Sequence, residues 1–266
     1  MALDPGSARV KEIARLSQKD ARYETGLFLL EGPQGLKELA HYPEIAQEIL
    51  VTEEALTRYS VEIAALEKAG VAIEQVSSRV MEKISDTKTP QGVVSVVHHL
   101  DLELDEVIES EPKLLVLLDR IQDPGNAGTI IRAADAAGAD AVLFSEGSVD
   151  PYNPKVVRST AGSLLNVPVS IGVDMERAIS GIKQKGVRVF STSARGDALP
   201  EIAAEILAGP SAWVFGNEAQ GVTEELIQAS DESVSIPIFG SAESLNLATA
   251  ASICLYTSAF AARGNR

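Results

Sequence analysis

Arg132 is the residue best placed to do chemistry in this chain. It stands in the run Asn126-Ala-Gly-Thr-Ile-Ile-Arg-Ala-Ala-Asp-Ala-Ala-Gly138, between the apolar pairs Ile130, Ile131 and Ala133, Ala134. A guanidinium that close to a packing face calls for an anionic or carbonyl partner, because an unpaired buried charge is too costly. Otherwise it is a surface Arg that snorkels off a helix. Three glycine- and amide-rich corners accompany it: Asp123-Pro-Gly-Asn126, Phe215-Gly-Asn-Glu-Ala-Gln-Gly221 and Ile236-Pro-Ile-Phe-Gly-Ser-Ala-Glu-Ser-Leu-Asn246. Each follows a short apolar stretch of strand character. Ligands in open α/β sheets bind beyond the carboxyl ends of strands, so the three corners could converge on one pocket. Gly216 and Gly240 would let backbone approach a ligand closely. Ser244 would cap the last helix, with Leu245 and Asn246 facing the site. Taken singly, each corner is ordinary turn chemistry.

Other chemistries lack their residues. No Gly-x-Gly-x-x-Gly follows a strand, and neither a Gly-x-x-x-x-Gly-Lys-Ser/Thr phosphate loop nor a Gly-x-Ser-x-Gly elbow occurs. The three His (His41, His98, His99) and the single Cys254 show no metal-ligand spacing, so no metal is expected. The lone Cys allows no internal disulfide and fits a reducing cytoplasm. No apolar run reaches the roughly 20 residues of a membrane helix, and the start of the chain shows no secretory pattern.

The elements that must position these residues alternate between strand and helix. In residues 1–105 strands are expected at 26–31, 49–51, 71–76 and 93–97, with helices at 32–40, 55–69 and 78–84. Ser7 would cap a first helix with Val10, Ile13, Ala14 and Ser17 on one face and Lys11, Arg15 and Arg22 on another. Residues 106–112 are acidic and end in Glu-Pro, which reads as a linker. In residues 113–266 strands are expected at 114–118, 141–144, 167–171, 187–191, 212–215 and 233–236. Helices are expected at 126–137, with Asn126 as cap, and at 154–160, 174–185, 200–207, 222–229 and 244–262. Short Val/Leu-rich strands buried on both faces indicate a largely parallel sheet covered by helices. The fold class is therefore α/β: a small N-terminal unit, then a mostly parallel sheet.

The net charge of −15 weighs against a nucleic-acid partner, whose phosphates demand Lys and Arg. The charge is uneven, however. Residues 1–30 hold five basic residues (Arg9, Lys11, Arg15, Lys19, Arg22) against four acidic ones, which leaves room for a local basic footprint.

In order along the chain, Asn126-x-x-Gly-Thr-x-x-Arg132, Gly216-Asn-Glu218-x-x-Gly221, and Ile236-Pro237 with Ser244-Leu-Asn246-x-Ala248 resemble the three motifs of the SpoU/TrmH family. These are RNA ribose 2′-O-methyltransferases of the SPOUT class. Residues 1–105 are similar to the substrate-binding domain that many members carry, through Arg22, Phe28-Leu-Leu-Glu-Gly32 and Thr89-Pro-Gln-Gly92. The resemblance implies an S-adenosylmethionine-dependent enzyme, a C-terminal trefoil knot, and a homodimer with the active site at the interface. It implies that the methyl donor is held around Gly216, Asn217, Ile236, Ser244 and Leu245. Arg132 would bind the phosphate next to the reacting hydroxyl and stabilise developing alkoxide charge. Asn126 would fix Arg132 or the ribose, while Glu218 and Asn246 would order the loops and position substrate. The acidic composition departs from the family's habit, so Lys11, Arg15, Arg22, Lys155 and Arg158 would have to supply the phosphate contacts. Ribosomal RNA, of the 23S type, is the favoured substrate. Transfer RNA, a knotted RNA-binding protein without turnover, and a nucleotide-dependent reductase are the alternatives.

Overall fold

The computed structural model describes residues 3–264, which divide into two compact units. The first holds residues up to Leu100 together with Asp150–Leu165; the second holds Asp101–Val149 and everything from Asn166. The chain thus returns to the first unit after the second has begun, which reading the sequence as one continuous second domain does not anticipate.

The first unit opens with α1 (Ala8–Arg15) and α2 (Lys19–Thr25), followed by β1 (Leu27–Glu31), α3 (Pro33–Leu39) and β2 (Ala46–Val51). Then come α4 (Glu53–Arg58), α5 (Ser60–Lys68), β3 (Ala72–Gln75), α6 (Ser78–Ile84) and β4 (Val93–His98). Ser7 caps α1 by accepting from Val10 N, as its position predicts. The basic helix does not run on, however: residues 16–18 break it and α2 is a separate helix. The sheet order is β1-β4-β2-β3, with β4 antiparallel to both neighbours and β2 parallel to β3. Val10, Ile13 and Leu16 join Val80, Met81 and Ile84 over one face of this sheet.

Residues 106–112 are not a linker. Most of them lie in α7 (Leu104–Glu109), where the Glu106 carboxylate accepts from Glu103 N at 2.9 Å and closes the first turn. Leu104, Val107 and Ile108 fall at helical spacing and enter the core of the second unit. The acidic composition comes from the exposed side of the same helix.

The second unit continues with β5 (Leu114–Leu118), α8 (Pro124–Ala137) and β6 (Ala141–Ser145). After α9 (Pro154–Thr160), which belongs to the first unit, come β7 (Val169–Val173), α10 (Met175–Gln184), β8 (Arg188–Ala198) and α11 (Ala204–Ala208). The chain ends in β9 (Ser211–Phe215), α12 (Glu224–Ala229), β10 (Glu232–Ser235) and α13 (Leu247–Gly264). The sheet order is β10-β8-β9-β5-β6-β7 and every pairing is parallel. All five residues of β5, β6 and β9 are buried, which is why these strands read as unbroken apolar runs. Trp213 stacks on Phe190 at 4.7 Å between ring centres and donates its indole N–H to Ser258 Oγ at 3.0 Å. Cys254 is buried in α13, and burial pushes its thiol up to about 12, so it packs as an apolar residue and is no nucleophile. Among the described residues no helix is long and apolar enough to cross a membrane, and no cluster of His, Cys, Asp or Glu could hold a metal ion.

Candidate active site

Because the sheet is parallel throughout, the carboxyl ends of β5 and β9 lie side by side, with Leu118 in register with Phe215. The loops that leave them meet at once. Asp119 N donates to Phe215 O at 2.8 Å, and Asn217 Nδ2 donates to Arg120 O at 2.8 Å. Arg120 sits at φ +52°, a left-handed conformation that this hydrogen bond holds in place. The Asn217 carbonyl oxygen accepts from Ala219 N and Gln220 N, at 2.9 and 3.2 Å, so this side chain builds the corner. Gly216 is required here by space. A Cβ on it would fall 2.0 Å from the carbonyl carbon of Gly221 and 2.1 Å from Val222 N. The close backbone approach that its type suggests is therefore to its own chain. At Gly240, by contrast, nothing lies within 4 Å of that position.

Helix α8 begins two residues earlier than the sequence indicates. Asp123 is its N-cap, accepting from Asn126 N at 2.7 Å, and Pro124 takes the first helical position. Asp followed by Pro is a helix-start signature, since the cap needs an acceptor and the next N–H would be unpaired anyway. Asn126 is thereby freed from capping. Its side chain lies inside the first turn and joins the other two corners. Its amide donates to Glu218 Oε1 at 3.3 Å, and its carbonyl oxygen accepts from Asn246 Nδ2 at 2.9 Å. Asn246 then accepts from Ala248 N at 3.0 Å and Thr249 N at 3.3 Å, capping α13. The cap expected at Ser244 is thus supplied two residues later, and Ser244 is exposed.

This chain of amides has one polarity. A carboxylate only accepts, so Glu218 fixes which end of Asn126 faces it, and Asn126 in turn fixes Asn246. Glu218 also accepts from Asp123 N at 3.0 Å and Gln122 N at 3.2 Å. Burial alone would raise its pKa, but the backbone N–H groups of Glu218, Asp123 and Gln122 and the Asn126 amide together hold the carboxyl below its usual range. A carboxyl depressed in the folded state adds stability above its unfolded pKa and loses it as pH falls through the folded value. Glu218→Gln is therefore expected to be less stable than the parent protein at pH 7. The difference in denaturant midpoint should close as pH drops below about 4.3, the ordinary Glu value. A difference that stays constant with pH would show that the carboxylate charge plays no part.

Arg132 lies two turns into α8 on an exposed stripe with Gly125, Thr129 and Ala136, while Ile130, Ile131 and Ala134 face the core. It forms no hydrogen bond or ion pair among the described residues, and Asn126, engaged with Glu218 and Asn246, does not fix it. The surface reading of this guanidinium is right about exposure, and a free cation is what an incoming anion requires.

The third corner differs from the other two. Residues 237–245 form no hydrogen bond among themselves or with the rest of the described chain. Ile236 and Leu245 are half-buried, whereas Ile238 and Phe239 are exposed. The segment presents free backbone donors and acceptors beside apolar side chains, which suits a small ligand with both apolar and polar parts.

The basic residues of the first unit do not form one face. Arg22 is buried, bonded to Asp150 through Nε at 3.0 Å and through NH2, and to the carbonyls of Leu16 and Ser17 at 2.9 Å. It is therefore unavailable to RNA. Its burial follows from Asp150, 128 residues away, and no local signal announces it. Arg158 pairs with Asp86 at 2.8 Å and Arg15 with Glu24 at 3.5 Å. Lys11 and Lys155 are exposed, and their ammonium groups are unpaired among the described residues.

The chain is similar to known proteins over most of its length. Residues 113–256 match the model of the SpoU rRNA Methylase family, and residues 7–95 match an MRM3-like substrate binding domain. The chain is 35% identical over 249 residues to the 23S rRNA (guanosine(2553)-2′-O)-methyltransferase RlmP of Bacillus subtilis, covering 93% of this chain and 94% of that one. Among solved structures, it is similar to an AdoMet-bound rRNA methyltransferase from Sinorhizobium meliloti, with TM-score 0.83, 30% identity and coverage of 97% and 96%. It is also similar to the SpoU methyltransferase AviRb from Streptomyces viridochromogenes in complex with AdoMet, with TM-score 0.81, 29% identity and coverage of 95% and 98%.

Proposed function

This chain belongs to the SpoU rRNA Methylase family, and we propose that it transfers the methyl group of S-adenosylmethionine to a ribose 2′-hydroxyl of large-subunit ribosomal RNA. One observation carries the reading: the Glu218–Asn126–Asn246 chain, which assembles the three corners around the helix that bears the unpaired Arg132. The B. subtilis relative is named for this reaction on 23S rRNA. The S. meliloti and Streptomyces structures contain AdoMet.

The free backbone of residues 237–245, with Ile236 and Leu245 beside it, would hold the donor together with the Gly216–Asn217 corner. When bound, S-adenosylmethionine supplies an electrophilic methyl group on a positively charged sulfur, so no metal is needed. The protein must hold the 2′-oxygen in line with that methyl and manage a weakly acidic proton. Arg132 binds the adjacent phosphate and stabilises charge developing on the 2′-oxygen. It is not the base, because a guanidinium stays protonated in proteins. The proton passes to phosphate or water. Glu218 and Asn246 act as positioning residues that keep the first turn of α8 and the start of α13 in register.

The reading includes a trefoil knot formed by the segment after β9. In support, the chain leaving β10 at the sheet edge returns to pack α13 against α8. It also includes a homodimer and a cytoplasmic location. Ile253, Tyr256 and Phe260 form an exposed apolar stripe at helical spacing on α13, and the Tyr256 hydroxyl reaches Ala136 O, on the Arg132 stripe, at 3.5 Å. A second copy covering this stripe would enclose Arg132. Sedimentation should give twice the chain mass, and Phe260→Glu should give a folded monomer without methyl transfer. A monomeric parent protein would remove the dimer from the scheme.

The reaction is tested with labelled S-adenosylmethionine and ribosomal RNA that lacks its own modification. Label recovered as 2′-O-methylated nucleoside is the expected result. Label in transfer RNA only, or donor binding without any transfer, would overturn it.

A further inference from the structure

The first unit carries a cavity of about 520 Å³ that methyl transfer does not use. It opens between the end of β1, the loop before β4 and the end of α9. Leu30, Val93 and Val157 make it apolar inside. Thr89 and Gln91 stand exposed at its rim, and their side chains make no hydrogen bond among the described residues. Two of its lining residues are glycines at positions where a side chain would not fit. A Cβ on Gly32, at φ +89°, would lie 2.9 Å from Gln91 Oε1, and one on Gly162, at φ +98°, would lie 2.5 Å from Glu38 Cγ.

The charges nearby are already engaged. Glu31 accepts from Asp86 N at 2.7 Å and from Thr87 Oγ1 at 3.2 Å, and Arg158 is paired with Asp86 at 2.8 Å. Its one lining cation is therefore engaged, which does not favour a phosphate in the cavity itself. It offers a neutral amide and a hydroxyl above an apolar interior, with a volume inside the range of about 300–1,000 Å³ usual for small-ligand pockets. Proteins read RNA sequence mainly at unpaired bases, burying the ring and hydrogen-bonding its edge. The Gln side chain presents both a donor and an acceptor to such an edge.

We propose that this cavity receives an unpaired nucleobase of the substrate RNA, with Gln91 and Thr89 reading its polar edge. The proposal rests on the RNA-methylation reading and deepens it into a sequence-selecting subsite. It also gives a chain of net charge −15 a means of selecting RNA: recognition rests on a base rather than on phosphates.

The test uses the full chain and a ribosomal RNA fragment spanning the methylated site, read by fluorescence anisotropy rather than turnover. Gln91→Ala and Thr89→Val are each expected to weaken RNA binding about tenfold, the worth of one lost hydrogen bond at a buried edge. The melting temperature and S-adenosylmethionine affinity should stay unchanged. A scan of abasic positions through the RNA should find one that weakens the parent protein by the same factor and leaves Gln91→Ala no weaker still. Parental RNA affinity in both folded variants, or abasic positions that act alike on parent and variant, would overturn the subsite. Since binding is read directly, failure of methyl transfer in the parent protein would strike the catalytic reading and leave this test intact.

Discussion

Arg132→Ala is expected to lower methyl transfer by about 10²–10³-fold, the range lost when one preorganised charge-stabilising group is removed from an active site. The loss should fall on the rate constant and on the apparent affinity for RNA together, because the guanidinium is assigned both to the phosphate and to the developing 2′-oxygen charge. S-adenosylmethionine binding should be untouched, since the donor is placed at the third corner and Arg132 lies on α8. Stability should also hold. Arg132 is exposed and unpaired among the described residues, so its truncation falls among surface changes of roughly ±0.5 kcal/mol. Arg132→Lys keeps a charge but loses the planar fork that grips phosphate with two parallel hydrogen bonds, and should recover little. The measurement is a single-turnover assay with labelled donor beside a donor titration and a melt. Full activity in the Ala variant would take Arg132 out of the reaction. Lost donor binding would instead move it to the donor site.

The second large effect concerns stability. Asp150→Ala strips Arg22 of its carboxylate inside the first unit, where both side chains are nearly inaccessible, at 2% and 4% exposure. The charge left behind keeps the carbonyls of Leu16 and Ser17, but these supply dipoles and not a counter-charge. Breaking a buried pair on one side costs about 3–5 kcal/mol, much of it the desolvation of the orphaned ion. Replacing both partners, as Arg22→Met with Asp150→Leu, should recover most of that loss, because two apolar residues need no counter-charge. The melts should therefore order as parent and double variant high, single variant low. A double variant no better than the single one would mean that the bond Tyr152 N donates to Asp150 Oδ1, at 2.9 Å, matters more than the ion pair. The same experiment separates the two roles offered for Arg22. In the folded double variant RNA affinity should match that of the parent protein, whereas a phosphate contact would show as a loss.

Much of the second unit was legible along the chain because its signals are local. A parallel strand buried on both faces writes itself as a run such as Leu114–Leu118, and the strand lies at those residues. The glycine- and amide-rich corners were visible for the same reason, since a turn is written in its own few residues. Helix starts were legible only where the right residue was read as cap. Ser7 is such a case, whereas the caps at Asp123 and Asn246 lie three residues before Asn126 and two after Ser244, polar residues equally able to cap.

What lay beyond the sequence are the facts that join distant residues. The acidic stretch at 106–112 reads as a linker because composition reports the exposed face; that Leu104, Val107 and Ile108 meet a core is decided by the sheet they pack on. Arg22 looked like part of a basic face because periodicity cannot see Asp150. The return of Asp150–Leu165 to the first unit carries no composition signal at all. The link from Glu218 through Asn126 to Asn246 spans separations of 92 and 120 residues. The residue types at these positions were set by the sequence and could be named from it. Which amide faces which carboxylate is decided only when a parallel sheet brings three strand ends to one edge, since a hydrogen bond depends on distance and direction and not on order along the chain.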